Sequence, residues 1–258
     1  LNERTNTPFK KIFFGLSVVP LVVPGILFTV AWILLSSPQI GLLNLLLQYI
    51  FDTDYVFLNI YSIGGMIWVA GLHYSPVAFL LMSAAFRYMD PSLEESAIMS
   101  GATTWQTLYH ITLKLTWPAL FGTMLILFIR AIGSFEVPAL LGLPAGIQVF
   151  TSSIYQAIHR YPSQIGLAST YATTLLLITA GGIYFQTKLS NQRHRYSTMT
   201  GKGYRPHPID LGKWRLVAGI AFTLYVCSIV ILPFLVLLWS SLQKFYRVPS
   251  LSALTSKS

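Results

Sequence analysis

Three ionisable side chains, His73, Arg130 and Glu136, stand inside otherwise apolar stretches of the sequence. A charge at bilayer depth is costly, so such residues face water, a partner charge or a passing solute. Arg130 and Glu136 lie six residues apart, which on an unbroken helix turns them to different sides. Glu136 is close enough to one end of its stretch to be wetted. Arg130 either lines a path or pairs with a carboxylate on another helix. His73, followed by Tyr74 and Pro76, either lines a path or hydrogen-bonds a neighbouring helix. Neither His73 nor His110 nor His159 has an Asp, Glu or Cys beside it at ligand spacing, so a metal-dependent membrane enzyme has little to build on. Cys227 is the single cysteine, and no intrachain disulfide can form.

A different chemistry is written between two apolar stretches, in Asp90-Pro91-Ser92-Leu93-Glu94-Glu95-Ser96-Ala97-Ile98-Met99-Ser100-Gly101-Ala102-Thr103-Thr104-Trp105. This reads as a helix, a glycine break and a second helix. Ser92 with Glu95 three residues later has the capping-box pattern, and Pro91 suits a helix start. Glu94 and Glu95 fall in the first turn, where the helix dipole favours anions. Gly101 can take the positive φ that a turn between helices requires. Ala97, four residues before it, keeps one side small.

The elements that must position these groups are membrane spans. Of 258 residues, 54% are hydrophobic and only 10% charged, with a mean hydropathy of +0.62. A soluble domain carries about 25% charged residues, so the outer face of this fold meets lipid. The net charge of +9 comes from short basic stretches between apolar runs, the pattern of cytoplasmic loops rather than of nucleic-acid binding. A bilayer core of about 30 Å takes about 20 apolar helical residues. Five stretches reach that length, at about residues 12–35, 63–85, 117–136, 165–185 and 216–239. Prolines 20, 24 and 76 predict kinks. Residues 41–50 form a short interfacial helix, and 137–148, with two prolines and two glycines, a turn-rich loop. Gly166, Ala168, Ala172 and Gly181 would let the fourth span approach a neighbour closely.

Orientation follows from the basic residues. Lys188, Arg193, Arg195, Lys202, Arg205, Lys213 and Arg215 mark the loop before the fifth span as cytoplasmic. Counting back, the amino terminus lies inside, Asp52 outside, and residues 87–116 inside. Lys244, Arg247 and Lys257 after the fifth span pull the other way, and the denser loop decides. The chain opens with Leu1 and closes in polar sequence, which is expected of a fragment or cut gene product.

The Glu95-Ser96-Ala97, Gly101, Ile111 and Leu113 positions resemble the signature of binding-protein-dependent ABC importer permeases: Glu-Ala-Ala, three residues, Gly, nine residues, Ile, one residue, Leu-Pro. Every spacing is kept. Ser96 replaces an alanine and Lys114 stands in the proline position, with Pro118 nearby. Residues 133–142, Gly-Ser-Phe-Glu-Val-Pro-Ala-Leu-Leu-Gly, and the loop from Thr200 to Trp214 look like the ferric-iron branch, whose members often fuse two permease modules.

That resemblance implies an all-α, polytopic bundle of the type I importer permease kind with a cytoplasmic coupling helix. It implies most of a first module over residues 1–190, with the coupling segment at 87–117, a cytoplasmic linker over 191–215, and the start of a second module over 216–258. Glu94, Glu95, Ser96, Ala97, Gly101, Ile111 and Leu113 would couple to a cytoplasmic ATPase dimer. An extracytoplasmic solute-binding protein and a second permease module complete the expected partners, in a bacterial inner membrane. The solute is a small one, ferric iron first, and the path candidates are His73, Arg130 and Glu136. The chain is then a transport subunit rather than an enzyme and binds no cofactor of its own; ATP and Mg belong to the partner. In keeping with this, the only Gly-Lys, Gly201-Lys202, lacks the glycine five residues earlier and the Ser or Thr after it that a phosphate-binding loop needs. The alternative is an ATP-independent channel or an ion-coupled secondary carrier, for which Glu136 is the only intramembrane acidic residue.

Overall fold

Proline cuts the first apolar stretch in two. In a computed structural model, which describes residues 7–89, 92–193, 212 and 214–243, α1 (Lys10–Val18) runs into a 3-10 turn (Val19–Leu21) and the chain breaks before α2 (Gly25–Ser36). Pro20 and Pro24 lack the amide hydrogens of a continuous helix, so the predicted kinks become an interruption. The expected interfacial helix is α3 (Leu42–Phe51), and α4 (Ile63–Tyr88) passes unbroken through Pro76.

Next come α5 (Ser92–Met99) and α6 (Thr104–Thr107), which continues through a π turn (Leu108–Thr112) into α7 (Leu113–Ile132). The third span therefore begins at Trp105 rather than near Trp117. The helix runs on across Lys114, with Pro118 inside α7.

Residues 137–148 correct a second expectation. Pro138–Gly142 is a π turn and Leu143–Ala145 a 3-10 turn, closed by Gly146 at φ 72°. Pro138 falls in the first turn of a helix that opens at Glu136, where its missing amide costs nothing, so the proline sits in a short helix instead of a loop. Beyond it lie α8 (Phe150–His159) and the long α9 (Ile165–Arg193). The last span is α10 (Trp214–Val226), a π turn (Cys227–Ile231) and α11 (Leu232–Ser241). Among the described residues there is no strand. Most of the 191–215 linker, with Arg195, Lys202 and Arg205, and Asp90 with Pro91 lie outside the described residues.

Among the described residues, four helices are long and apolar enough to cross a membrane, and the α1–α2 pair makes a fifth if taken as one span. No more than 22% of any of the four apolar windows is buried, and only 6% in α9. Helices this apolar and this uncovered need an apolar surrounding. Of the small residues expected to pack in the fourth span, Ala168 is buried, but the glycines differ. A side chain on Gly166 or Gly181 would meet nothing within 4 Å, whereas on Gly182 it would come to 3.1 Å from Ile129.

The chain packs as two units. One holds α1, Tyr74–Gly133, and Thr173–Thr223. Its aromatic cluster joins Phe13 to Phe222 at 4.8 Å and Phe14 to Phe79 at 5.5 Å between ring centres, with the Arg87 guanidinium over Phe14. The other holds Val19–His73, Ser134–Ala172, and the chain from Leu224. Its core is Phe28, Trp32 and Leu35 of α2 against Val69, Val137, Leu141 and Val236. Buried Asn44 fastens α3 there: its side-chain amide donates to the Ser37 and Leu58 carbonyls at 3.0 and 2.7 Å, and its oxygen accepts from Leu58 N–H at 2.8 Å.

Candidate functional site

The helix–glycine–helix segment folds as a tight hairpin. Gly101 takes φ +90°, its N–H donates to the Ile98 carbonyl, and Ala102 N–H donates to the Ala97 carbonyl, each at 3.0 Å. This is the Schellman arrangement, which satisfies the last carbonyls of α5 and needs a glycine at the left-handed position. A side chain on Gly101 would meet nothing within 4 Å, so the constraint there is conformational, not steric.

The second arm is capped by Thr103 and Gln106. Gln106 N–H donates to Thr103 Oγ1 at 3.3 Å, and Thr103 N–H donates to Gln106 Oε1 at 2.9 Å. The reciprocal bonds make a capping box. Ser92, expected to cap the first arm, is already the first residue of α5.

The two acidic residues part company. Glu94 is buried, 5% exposed, and accepts a hydrogen bond from the Thr112 hydroxyl at 2.6 Å; Thr112 is 4% exposed. Glu95 and Ala97 are half-buried, while Ser96, Ile98, Met99 and Gly101 are exposed. Ile111 is half-buried and Leu113 exposed. Uncovered Leu93, Ile98, Met99 and Trp105 give the hairpin an apolar outer surface, with Met99 at 89% exposure.

In the other unit, the first residue of α2 meets two of the three intramembrane candidates. A Cβ built on Gly25 would overlap Glu136 Oε2 and come to 3.1 Å from His73 Nε2. The carboxylate thus sits at the start of a helix, where unpaired N–H groups and the dipole favour negative charge. Glu136 is aimed by its neighbours: Val137 and Leu141 are buried in the core, and Thr151 Oγ1 holds the Ser134 carbonyl at 2.8 Å. His73 rests against Phe28, ring centres 5.4 Å apart. Gly25 thus has a carboxylate and an imidazole beside it at one helix end. Arg130 belongs to the first unit, where the Tyr74 hydroxyl reaches its backbone carbonyl at 3.5 Å. Among the described residues no three His, Cys, Asp or Glu side chains cluster as metal ligands.

Residues 3–193 match the family described as the binding-protein-dependent transport system inner membrane component. The chain is 29% identical over 224 residues to the ferric transport system permease protein FbpB of Actinobacillus pleuropneumoniae, covering 86% of this chain and 31% of that protein. It is 26% identical over 168 residues to the molybdenum transport system permease protein ModB of Escherichia coli, covering 64% of this chain and 71% of that one. The chain therefore spans about a third of the length of the ferric relative. A solved bacterial alginate ABC transporter, in complex with alginate pentasaccharide-bound periplasmic protein, matches in fold with a TM-score of 0.58 at 21% identity, over 77% of this chain and 70% of that one.

Proposed function

Because this chain belongs to the binding-protein-dependent transport system inner membrane component family, we propose that it is a permease segment of an ATP-driven importer in a bacterial inner membrane. The observation that carries the reading is the capped hairpin whose apolar outer surface is left uncovered by the other described residues. A surface of that kind, on the side where the basic loops put residues 87–116, suits the groove of a cytoplasmic ATPase. Glu95, Ser96, Ala97 and Gly101 supply its face and turn, and Ile111 and Leu113 its stem. ATP and Mg then stay on the partner, and this chain supplies only the moving helices.

The wider assembly belongs to the same reading: a solute-binding protein on the outer side and a second permease module. Residues 1–190 would be most of one module, 191–215 a linker and 216–258 the opening of the next. The likeness to a ferric permease over 86% of the chain supports ferric iron as the first solute to try. Glu136 and His73, with Arg130 as a further candidate, would line the route. Tight binding is unnecessary there, since the free solute is held by the binding protein.

The test is uptake and co-purification together. The ATPase should come down with the full-length permease, and Gly101→Val or Glu95→Lys should stop iron uptake with the protein still inserted. Uptake that survives both substitutions would sink the coupling role.

A further inference from the structure

We propose that the Glu94–Thr112 hydrogen bond is a brace that locks α5 to the α6–α7 stem, so that the hairpin moves as one lever. The idea rests on the coupling role above and adds how a push on α5 reaches the span. An eight-residue helix is unstable by itself and must be held by packing. Yet the large apolar side chains of α5, Leu93, Ile98 and Met99, point outward and are exposed. About half or more of each is open to a partner, which leaves little of that apolar surface to fasten α5 to the stem.

The turn does not brace α5 either. Gly101 sits at φ +90° with open space where a side chain would be, so nothing packs against the hinge. What is buried between the arms is polar. Glu94 and Thr112, 18 residues apart in sequence, meet at 2.6 Å with each about 95% covered. That distance is in the short range of a hydroxyl donating to a carboxylate, roughly twice as strong as a neutral bond. Thr112 is the last residue of the π turn, directly before α7, and its carbonyl in turn accepts from the Thr116 hydroxyl at 2.8 Å. Load on α5 therefore enters the stem at Thr112 and passes into the first turn of α7. Glu94 is thus a positioning residue, and its carboxylate faces the stem rather than the ATPase.

The experiment uses hydrogen–deuterium exchange on the full-length transporter with its ATPase bound, with and without ATP plus vanadate. Glu94→Ala and Thr112→Val should each speed exchange of the α5 amides about tenfold or more, the scale of one lost charged hydrogen bond. The nucleotide-induced change in α7 should vanish while the ATPase still co-purifies. Thr112→Ser, which keeps the donor, should behave as wild type, and Glu94→Gln, which keeps an acceptor without the charge, should fall between wild type and Glu94→Ala. The Glu94→Ala/Thr112→Val double variant should be no worse than either single one. Unchanged α5 exchange in the single variants, or a surviving α7 response, overturns the brace. If the wild-type protein shows no nucleotide response in α5 at all, the coupling role itself fails, and the brace with it.

Discussion

The carboxylate of Glu136 occupies the place where a side chain on Gly25 would begin. Glycine at the start of α2 is thus a condition for seating that charge. Gly25→Ala should force the two apart at a cost of about 1–3 kcal/mol, the usual price of overpacking. A lowered melting temperature in detergent would show it. Adding Glu136→Ala should recover part of the loss, because the overlap is removed; strictly additive losses would contradict the contact.

Transport should be more sensitive than folding to the chemistry at this point. Glu136→Gln keeps the shape and removes the charge. We expect it to lower uptake of ferric citrate by about tenfold, equivalent to about 1.4 kcal/mol, with assembly unchanged. His73→Gln should fall in the same direction. Wild-type uptake rates in both would remove these residues from the route.

At Gly101 the issue is backbone. A β-branched residue at φ +90° carries about 1–3 kcal/mol of strain. Gly101→Val should therefore distort the hairpin and abolish ATP-dependent uptake, while protease protection of the spans stays as in wild type. Gly101→Asn, which tolerates the left-handed region better, should retain part of the activity.

Thr103→Ala removes one half of the capping box and should cost about 1 kcal/mol. Faster amide exchange confined to residues 103–107 would be the signature.

Asn44 makes three hydrogen bonds from a site only 1% exposed. Asn44→Leu leaves the Leu58 amide and two carbonyls without that partner, a loss of about 1–3 kcal/mol for each group left unsatisfied. Proteolysis should then open the segment between Asp52 and Ser62 first.

How much of this is legible in the sequence depends on whether the signal is local. The spans are set by apolar length, and the hairpin by Gly101 at a fixed distance from Glu95. Both were readable. The Thr103–Gln106 capping box also follows its sequence pattern, but Ser92–Glu95 fits the same pattern and competes with it. Which of Glu94 and Glu95 is buried has no local signal, because both sit in one helical turn and only the stem chooses between them. The meeting of Glu136, His73 and Gly25 draws on three distant stretches and could not be read from spacing. The turns at 138–145 look like a loop because Pro and Gly are counted as breakers, although Pro138 falls in a first helical turn, where its amide needs no partner within the helix. α8, with Ser, Thr and Gln among its apolar residues, gave no apolar run to notice.

The bareness of α9 has a practical side. With only 6% of its most apolar stretch buried among the described residues, this protein has no use for water as a solvent. Cell-free synthesis without lipid or surfactant should yield precipitate, whereas nanodiscs present from the first peptide bond give that helix the hydrocarbon it was selected to touch.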